Sequence, residues 1–108
     1  MPQQSTGALL NCFAFEQLTI STSVVPLTST KYTAGQTDQG SRRLARMAYV
    51  TVDSNPIRYT MDGTTPSASI GHAVAAAGGF WLEGESTIRN FKAIRSGASD
   101  AVINVSYF

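Results

Sequence analysis

The stretch that decides the fold is residues 57–72, which read IRYTMDGTTPSASIGH. In its first part apolar and polar side chains alternate, with Ile57, Tyr59 and Met61 on one side and polar or charged residues between them. A repeat of two is typical of a β-strand that buries only one of its faces. The stretch therefore predicts a strand from Ile57 to Met61, and the rest of the chain can be interpreted around it.

A turn follows this strand directly. Asp62-Gly63 is a strong signal for a tight turn between paired strands, because both residues tolerate the backbone conformations that such turns need. Pro66 fixes the exit from the turn, since its ring locks φ and leaves no N–H for a sheet hydrogen bond. We expect Asp62, Gly63 and Pro66 to define the turn and to have a structural role.

The chain before residue 42 contains one predicted strand and one predicted loop. Residues 17–28 are rich in β-branched side chains and predict a strand, in which the break of alternation at Val24-Val25 favours a bulge or bend and Pro26 favours a position at a sheet edge. Residues 29–41 have the composition of turns and loops and little apolar periodicity. They predict a surface loop, the longest of the domain.

The segment just before the deciding stretch predicts a central strand. Residues 42–53 have apolar side chains on both faces, which is typical of a strand with neighbours on either side. The short sequence Ser54-Asn55-Pro56 then predicts a turn into the strand at Ile57. Two strands joined by so few residues should pair antiparallel.

The remaining segments complete an all-β pattern. The alanine-rich residues 73–77 are closed by Gly78-Gly79, which favours an extended piece and a tight turn over a helix. Further strands are predicted over residues 80–82, 87–95 and 101–108, with a turn at 84–86 and a loop at 96–100. We therefore expect a small antiparallel β-sandwich or barrel of about six or seven strands without a helix, formed by residues 16–108 as one domain after an extended N-terminal arm, residues 1–15.

The composition indicates a chain that works in an assembly. Only 14% of its 108 residues are charged and the formal net charge is +1, whereas an average soluble protein has about 25% charged residues. A surface so poor in charge suits a chain whose neighbours cover much of it, although Ser- and Thr-rich β domains can also be soluble alone. The near-zero charge argues against a nucleic-acid partner, because affinity for nucleic acid comes largely from phosphate contacts.

The sequence also argues against a disulfide-linked protein, a paired-cysteine site, a membrane protein and a secreted protein. Cys12 is the single cysteine, so no internal disulfide and no paired-cysteine site can form, and a small apolar residue is the simplest interpretation. No apolar run approaches the roughly 20 residues that span a bilayer. The N-terminus lacks the basic start of a signal peptide, which predicts a chain that stays in the cytoplasm of its producing cell until assembly. We expect no membrane partner.

No catalytic pattern is recognisable either. His72 is the single histidine, and we expect it to be a hydrogen-bonded structural residue. Asp53 and Asp62 could in principle act as a carboxylate pair, but Asp62 precedes a glycine, where aspartate usually shapes a turn. Nucleotide-binding glycine loops, nucleophile elbows and metal-ligand spacings are absent from the sequence. The sequence therefore predicts a protein that is not an enzyme and needs no cofactor.

Candidate interface residues lie in three places. The arm has an apolar run that could dock on a neighbouring subunit or tuck onto its own core, and the loop offers one tyrosine. The basic cluster of Arg42, Arg43 and Arg46 could bind acidic residues of a neighbouring subunit, or it could simply be the solvated start of a strand. The candidates are Leu9, Leu10, Phe13 and Phe15 in the arm, Tyr32 in the loop, and Arg42, Arg43 and Arg46 in the basic cluster.

Two resemblances bear on function. Residues 57–66, IRYTMDGTTP, resemble the YTxDGxxPT turn of chitobiase C-terminal-type β-sandwich modules, which are accessory domains of glycan-active enzymes. The later half of the chain, residues 45–108, is similar to a group of small structural proteins of tailed bacteriophages. That similarity rests on DGTTPSASIGH at 62–72, IRNFKAIR at 88–95 and the closing VSYF at 105–108.

The phage resemblance implies a virion structural protein that assembles in many copies. We expect a capsid decoration or cement protein that binds the major capsid protein or other virion proteins, forms a homo-oligomer and is located in the virion. A head–tail connector or tail component is the alternative within the virion. A carbohydrate-binding module is the alternative from another class, in which Trp81, or Tyr59 with Tyr49, would stack on sugar rings.

Overall fold

The last strand of the chain is the centre of the first sheet in this computed structural model, which describes residues 11–36 and 40–108. Strand β10 (Ala101–Tyr107) alternates perfectly, so every second side chain from Ala101 to Tyr107 is fully buried. It pairs antiparallel with β1 (Ala14–Ile20) on one side and with β5 (Met47–Val52) on the other. Strand β8 (Gly79–Glu83) then pairs antiparallel with β5, giving the order β1-β10-β5-β8.

The second sheet contains both ends of the stretch 57–72. Its four antiparallel strands lie in the order β2-β9-β6-β7. Their bounds are Val25–Pro26 for β2, Lys92–Arg95 for β9, Ile57–Thr60 for β6 and His72–Val74 for β7. Strand β6 is thus a central strand of this sheet, with β9 and β7 as its neighbours.

Three short elements lie outside the two sheets. A two-stranded ribbon joins β3 (Gly35–Gln36) to β4 (Arg42–Arg43), and a single helical turn, α1 (Ser29–Tyr32), precedes it. The second helix, α2 (Glu85–Asn90), follows β8. Ile88 in α2 and Phe91 at its end are both buried, because three residues are nearly one helical turn and place both side chains on one side.

The core lies between the two sheets. Buried aliphatic side chains of the first sheet form one cluster with Ile57, Phe91 and Ala93. Aromatic rings join the sheets as well, since the Tyr59 ring of β6 is stacked on the Phe80 ring of β8 with 4.2 Å between their centroids. The fold is therefore a β-sandwich, with strands covering 44% of the described residues and helix 11%.

The predicted all-β class is confirmed, and the strand count needs one refinement. The described residues form ten strands, more than the six or seven expected, and seven of the ten have three or more residues. The three others, β2, β3 and β4, have two residues each and leave no periodic pattern in the sequence. β1 begins at Ala14, so the last two residues of the predicted arm belong to the sheet.

The predicted pairing across Ser54-Asn55-Pro56 is wrong. β5 and β6 lie in different sheets, and the short connection carries the chain across the core from one sheet to the other. Asn55 makes this crossing with a φ of 70°, and its side-chain amide donates to the Asp100 carbonyl at 2.9 Å. Val52 and Ile57 on either side are both buried, so the two apolar strands face each other instead of pairing.

Two further local predictions need correction. The predicted strand over 87–95 is a helix followed by β9, because Ile88 and Phe91 follow the period of a helix and not that of a strand. The predicted loop over 29–41 contains α1, β3 and the approach to β4, while its residues 37–39 lie outside the described part of the chain. In both places the segments are too short for their periodicity to be recognised.

Candidate functional site

The predicted turn at Asp62-Gly63 is the start of a longer loop. β6 pairs with β7, so the connection between the two strands runs from residue 61 to residue 71 instead of closing as a tight hairpin. The Arg58 side chain spans this loop, with Nε donating to the Ala68 carbonyl at 2.9 Å and Nη1 donating to the Gly71 carbonyl at 2.8 Å. An arginine of the strand, which the sequence did not single out, therefore holds the loop in place.

The three predicted turn residues lie inside this loop, and two of them accept hydrogen bonds there. The Asp62 carboxylate accepts the Thr64 N–H at 3.0 Å, and hydrogen bonds from the Thr64 side chain and backbone hold the pKa of that carboxyl below its usual value. Gly63 has a φ of 90°, which favours glycine, and its carbonyl accepts a hydrogen bond from Lys92 Nζ at 3.1 Å. The Pro66 side chain is buried.

A shallow cleft lies beside this loop. It has a volume of about 540 Å³ and is lined by Thr60, Met61, Asp62, Thr64, Gly71 and His72. His72 is exposed, and its ring packs against Tyr59 with 5.3 Å between centroids. Among the residues that the structure describes, its side chain does not make the hydrogen bond expected of a structural histidine. The Asp62 carboxylate in the lining is engaged by the backbone and side chain of Thr64.

The predicted interface residues that the structure describes converge at one end of the sandwich. This end, which we call the ribbon end, consists of Phe13, α1, the β3–β4 ribbon and Arg46. It forms where β1 and β5 begin and β10 ends, since Ala14 pairs with Tyr107 and Tyr107 pairs with Ala48. Phe15 lies close by on β1, whereas Leu9 and Leu10 lie outside the described residues.

Direct contacts hold the ribbon end together. The Phe13 ring covers Gly35 so closely that a Cβ there would lie 2.8 Å from Cε2 of the ring. The Arg43 guanidinium lies over the same ring, 5.2 Å from its centroid. Residues far apart in the sequence are thus joined into one surface, half-buried at Phe13 and Arg43.

The tyrosine predicted from the loop anchors the ribbon end to the first sheet. The Tyr32 carbonyl accepts the Ala45 N–H at 2.7 Å, which joins α1 to the chain before β5. Its half-buried ring lies 6.3 Å from the Tyr107 ring at the end of β10. Tyr32 therefore contributes to the packing of this surface more than to its exposed area.

The arginines give the ribbon end a positive charge. Arg42 and Arg46 are exposed, and Arg46 is fixed through its backbone, whose N–H donates to the Phe108 carbonyl at 2.7 Å. Among residues 11–36 and 40–108 the one ion pair is Arg95 with Asp100, so none of the three predicted arginines is paired with a described carboxylate. The end can accept an acidic partner surface at little cost in lost internal contacts.

A second surface is the face of the first sheet that points away from the core, which we call the outer face. Tyr49 on β5 and Trp81 on β8 are directly paired there, with their ring centroids 4.8 Å apart and their planes at 47°. Phe108 extends the group, since its ring lies 5.5 Å from that of Trp81. Tyr59, which the sequence had grouped with these aromatics, is stacked between the sheets instead.

The structure also contains a buried carboxylate that sequence reasoning missed. Glu16 on β1 is 8% exposed and accepts hydrogen bonds from the Tyr107 hydroxyl, from the Thr28 N–H at 3.1 Å and from the Thr28 hydroxyl at 2.5 Å. Burial and the Glu16 carboxylate together raise the pKa of the Tyr107 hydroxyl far above its usual value. The alternation of Leu18 and Ile20 already placed residue 16 on the inward face, and that was the available signal.

Comparison of the chain with known proteins identifies no relative: no protein-family model, no curated protein and no solved structure matches it. Within the described residues, no three histidine, cysteine, aspartate or glutamate side chains are grouped so that they could hold a metal ion. Neither α1 nor α2, the helices of the described part, has the length and apolar character needed to cross a membrane. The ribbon end and the outer face are the candidate sites because they expose arginine and aromatic side chains.

Proposed function

We propose that the chain is a structural protein of a tailed-phage virion, and specifically a capsid decoration protein that binds the outer side of the head shell. The similarity of residues 45–108 to small tailed-phage structural proteins supports the virion assignment. That region includes the Asp62-Gly63 turn, whose backbone and side-chain bonds give it an architectural role in the sandwich.

The observation that carries the decoration role is the convergence at the ribbon end. Phe13, Gly35 and Arg43 come from separate segments and contact one another there, while Tyr32 packs on Tyr107 beneath this end. Arg42 and Arg46 add exposed positive charge beside it. An aromatic and arginine-rich patch of this kind has the composition typical of protein interfaces, and its charge fits an acidic patch on the shell protein.

Binding through this end would stabilise the shell by mass action. A subunit that binds only the assembled lattice shifts the equilibrium toward assembly, by an amount that grows with its concentration relative to Kd. The low charge of the rest of the chain suits close packing of many copies, because neighbouring subunits then repel one another little. The homo-oligomer expected from the sequence is part of the same proposal.

The first test is the amount of the protein in purified phage particles. Quantitative mass spectrometry of purified virions should find it in a high copy number relative to the major capsid protein. A copy number equal to that of a single ring would support the connector alternative instead. Absence of the protein from purified particles would refute the virion assignment.

The second test addresses the ribbon end directly. Shells stripped of the protein should regain heat resistance when the wild-type chain is added back, whereas the double variant Arg42→Glu with Arg46→Glu should bind at least tenfold more weakly. Arg89→Glu is the matched control, because Arg89 is also exposed but lies in α2. Equal binding of the double variant and the control would show that the arginines make no contact with the shell.

A further inference from the structure

The outer face is uncharged over its two central rows. Pairing across the four strands places Phe15, Ser106, Tyr49 and Trp81 in one row. The next row on the same face consists of Gln17, Asn104, Thr51 and Gly79. None of these eight positions carries a charged side chain, and the charge in the next row of the face is the exposed carboxylate of Glu83, which would disfavour a nucleic acid, another polyanion or an acidic peptide.

The aromatic row presents ring faces to solvent. Phe15 is 54% exposed, Trp81 48% and Tyr49 37%, although apolar side chains of this size are usually covered. The Tyr49 ring reaches across the neighbouring strand, because its hydroxyl lies 3.0 Å from the position that a Cβ on Gly79 would occupy. The glycine lets the tyrosine lie low over β8, next to the tilted Trp81 ring, so that the two rings form a shallow aromatic trough.

The second row supplies hydrogen-bonding groups beside the trough. The Gln17 side-chain amide donates to the Asn104 side-chain oxygen at 2.9 Å, which orients both amides on the surface. That bond uses one donor of Gln17 and one acceptor site of Asn104, and each amide has further positions of both kinds. Thr51 adds a hydroxyl in the same row. Half of the face is therefore polar, unlike the largely apolar centre of a protein interface.

We propose that the outer face is a binding site for a neutral polysaccharide. The apolar sides of sugar rings would stack on Trp81 and Tyr49, and their hydroxyls would bond to the amide pair of Gln17 and Asn104. The site lies on the outer face and adjoins the ribbon end, because the Phe108 ring lies 5.5 Å from that of Trp81 and the Phe108 carbonyl accepts the Arg46 N–H. The inference depends on the geometry of this face alone, and it does not require the virion assignment.

The test uses the full chain and its single tryptophan. Trp81 fluorescence is followed during titration with laminarin, dextran and hydroxyethyl cellulose, with dextran sulfate as the anionic counterpart, and an array of neutral glycans extends the search. At least one neutral glycan should shift the emission and bind in a saturable way, while dextran sulfate should not bind. Trp81→Ala and Tyr49→Ala, followed by affinity electrophoresis, should each weaken that binding by about tenfold or more.

The control variant is Ile70→Ala, since Ile70 is an equally exposed apolar residue in the 61–71 loop, away from the outer face. It should bind as the wild type does, and the thermal unfolding of all three variants reports whether the fold is kept. A blank array, or binding that survives both aromatic substitutions, would overturn the proposal. A Trp81-dependent dimer in analytical ultracentrifugation, without glycan binding, would overturn it too and assign the face to a second copy of the chain. Neither result would affect the virion measurement described above.

Discussion

In the part of the chain that the structure describes, two carboxylates accept hydrogen bonds from threonine, one of them buried and the other exposed. Glu16 is buried and joins β1 to Thr28 and to Tyr107, which lie 12 and 91 residues away. Asp62 is exposed and binds Thr64, two residues away. The sequence drew attention to Asp62, because local turn chemistry is visible in a short motif. We expect Glu16, whose partners are distant in the chain, to contribute more to the free energy of unfolding than Asp62 does.

The strongest test of this comparison is Glu16→Ala. The substitution leaves the Tyr107 hydroxyl and the Thr28 N–H and hydroxyl without their acceptor, and each buried unsatisfied group costs about 1–3 kcal/mol. We expect the free energy of unfolding to fall by about 2–4 kcal/mol in denaturant titrations. Glu83→Ala, which removes an exposed carboxylate from the same sheet, should change it by less than about 0.5 kcal/mol. Equal effects of the two substitutions would contradict the assignment.

The second test is Tyr107→Phe, which removes the buried donor and keeps the ring. Glu16 retains its two bonds from Thr28, so we expect a smaller loss, about 1.5–2 kcal/mol at neutral pH. Tyr49→Phe is the matched control. Tyr49 lies on the exposed side of the same sheet, so this substitution should lower the free energy of unfolding only slightly. A neutral effect of Tyr107→Phe would mean that the hydroxyl bond to Glu16 adds nothing to stability.

Tyr107→Phe should also change how the stability of the protein depends on pH in the alkaline range. The pKa of Tyr107 is raised in the folded protein, mainly by burial, so its stabilising contribution is complete below the ordinary tyrosine pKa of about 10 and is lost as the pH rises beyond it. Above that pH the wild type should lose stability at up to about 1.4 kcal/mol per pH unit from this group. Tyr59, whose pKa burial also raises, contributes in the same direction. The loss between pH 10 and 11 should therefore be smaller in Tyr107→Phe than in the wild type.

The contrast between the two carboxylates also explains how much could be predicted from the sequence. Alternation in β5 and β10 and the turn residues of the 61–71 loop are local, so the all-β class and most long strands could be read directly. The path of the chain from β5 to β6 could not be predicted in this way. Ser54-Asn55-Pro56 could equally close a hairpin or cross the core, and in the structure the chain crosses the core at Asn55. Helix α2 escaped recognition for a similar reason, since its six residues complete fewer than two turns.

The residues of the candidate surfaces could also be predicted from local sequence, whereas their arrangement could not. Phe13, Tyr32 and Arg43 could be named as interface candidates from their segments, but their meeting at one end depends on how β1, β5 and the ribbon are placed. Trp81 and Tyr49 could be named as aromatics, while their pairing needed the register of β5 against β8. Tyr59 has the same chemistry and lies between the sheets, because β6 belongs to the second sheet.

The third test concerns the loop that contains Asp62. Arg58→Ala removes both bonds to the Ala68 and Gly71 carbonyls. We expect a loss of about 1 kcal/mol, since the two bonds are charge-assisted but partly exposed to water. The Gly71, Ala68 and Ile70 amides should at the same time exchange their hydrogens faster, as measured by NMR. Arg89→Ala, an exposed arginine of α2, is the control, and a loop that exchanges no faster in Arg58→Ala would show that the arginine does not hold it.

The smallest effect is expected for Asp62→Ala. The carboxylate is fully exposed, and its bonds to Thr64 order only the start of the loop, so stability should fall less than in Arg58→Ala. Because the pKa of Asp62 is lowered in the folded state, its contribution is present above the ordinary aspartate value of about 4 and is lost as the pH falls through the folded pKa. The melting temperatures of wild type and Asp62→Ala should therefore differ at pH 7 and converge near pH 2. If Asp62→Ala lowered the free energy of unfolding as much as Glu16→Ala does, the expected difference between the two carboxylates would be contradicted. The local turn would then contribute as much to stability as the buried contact between distant segments.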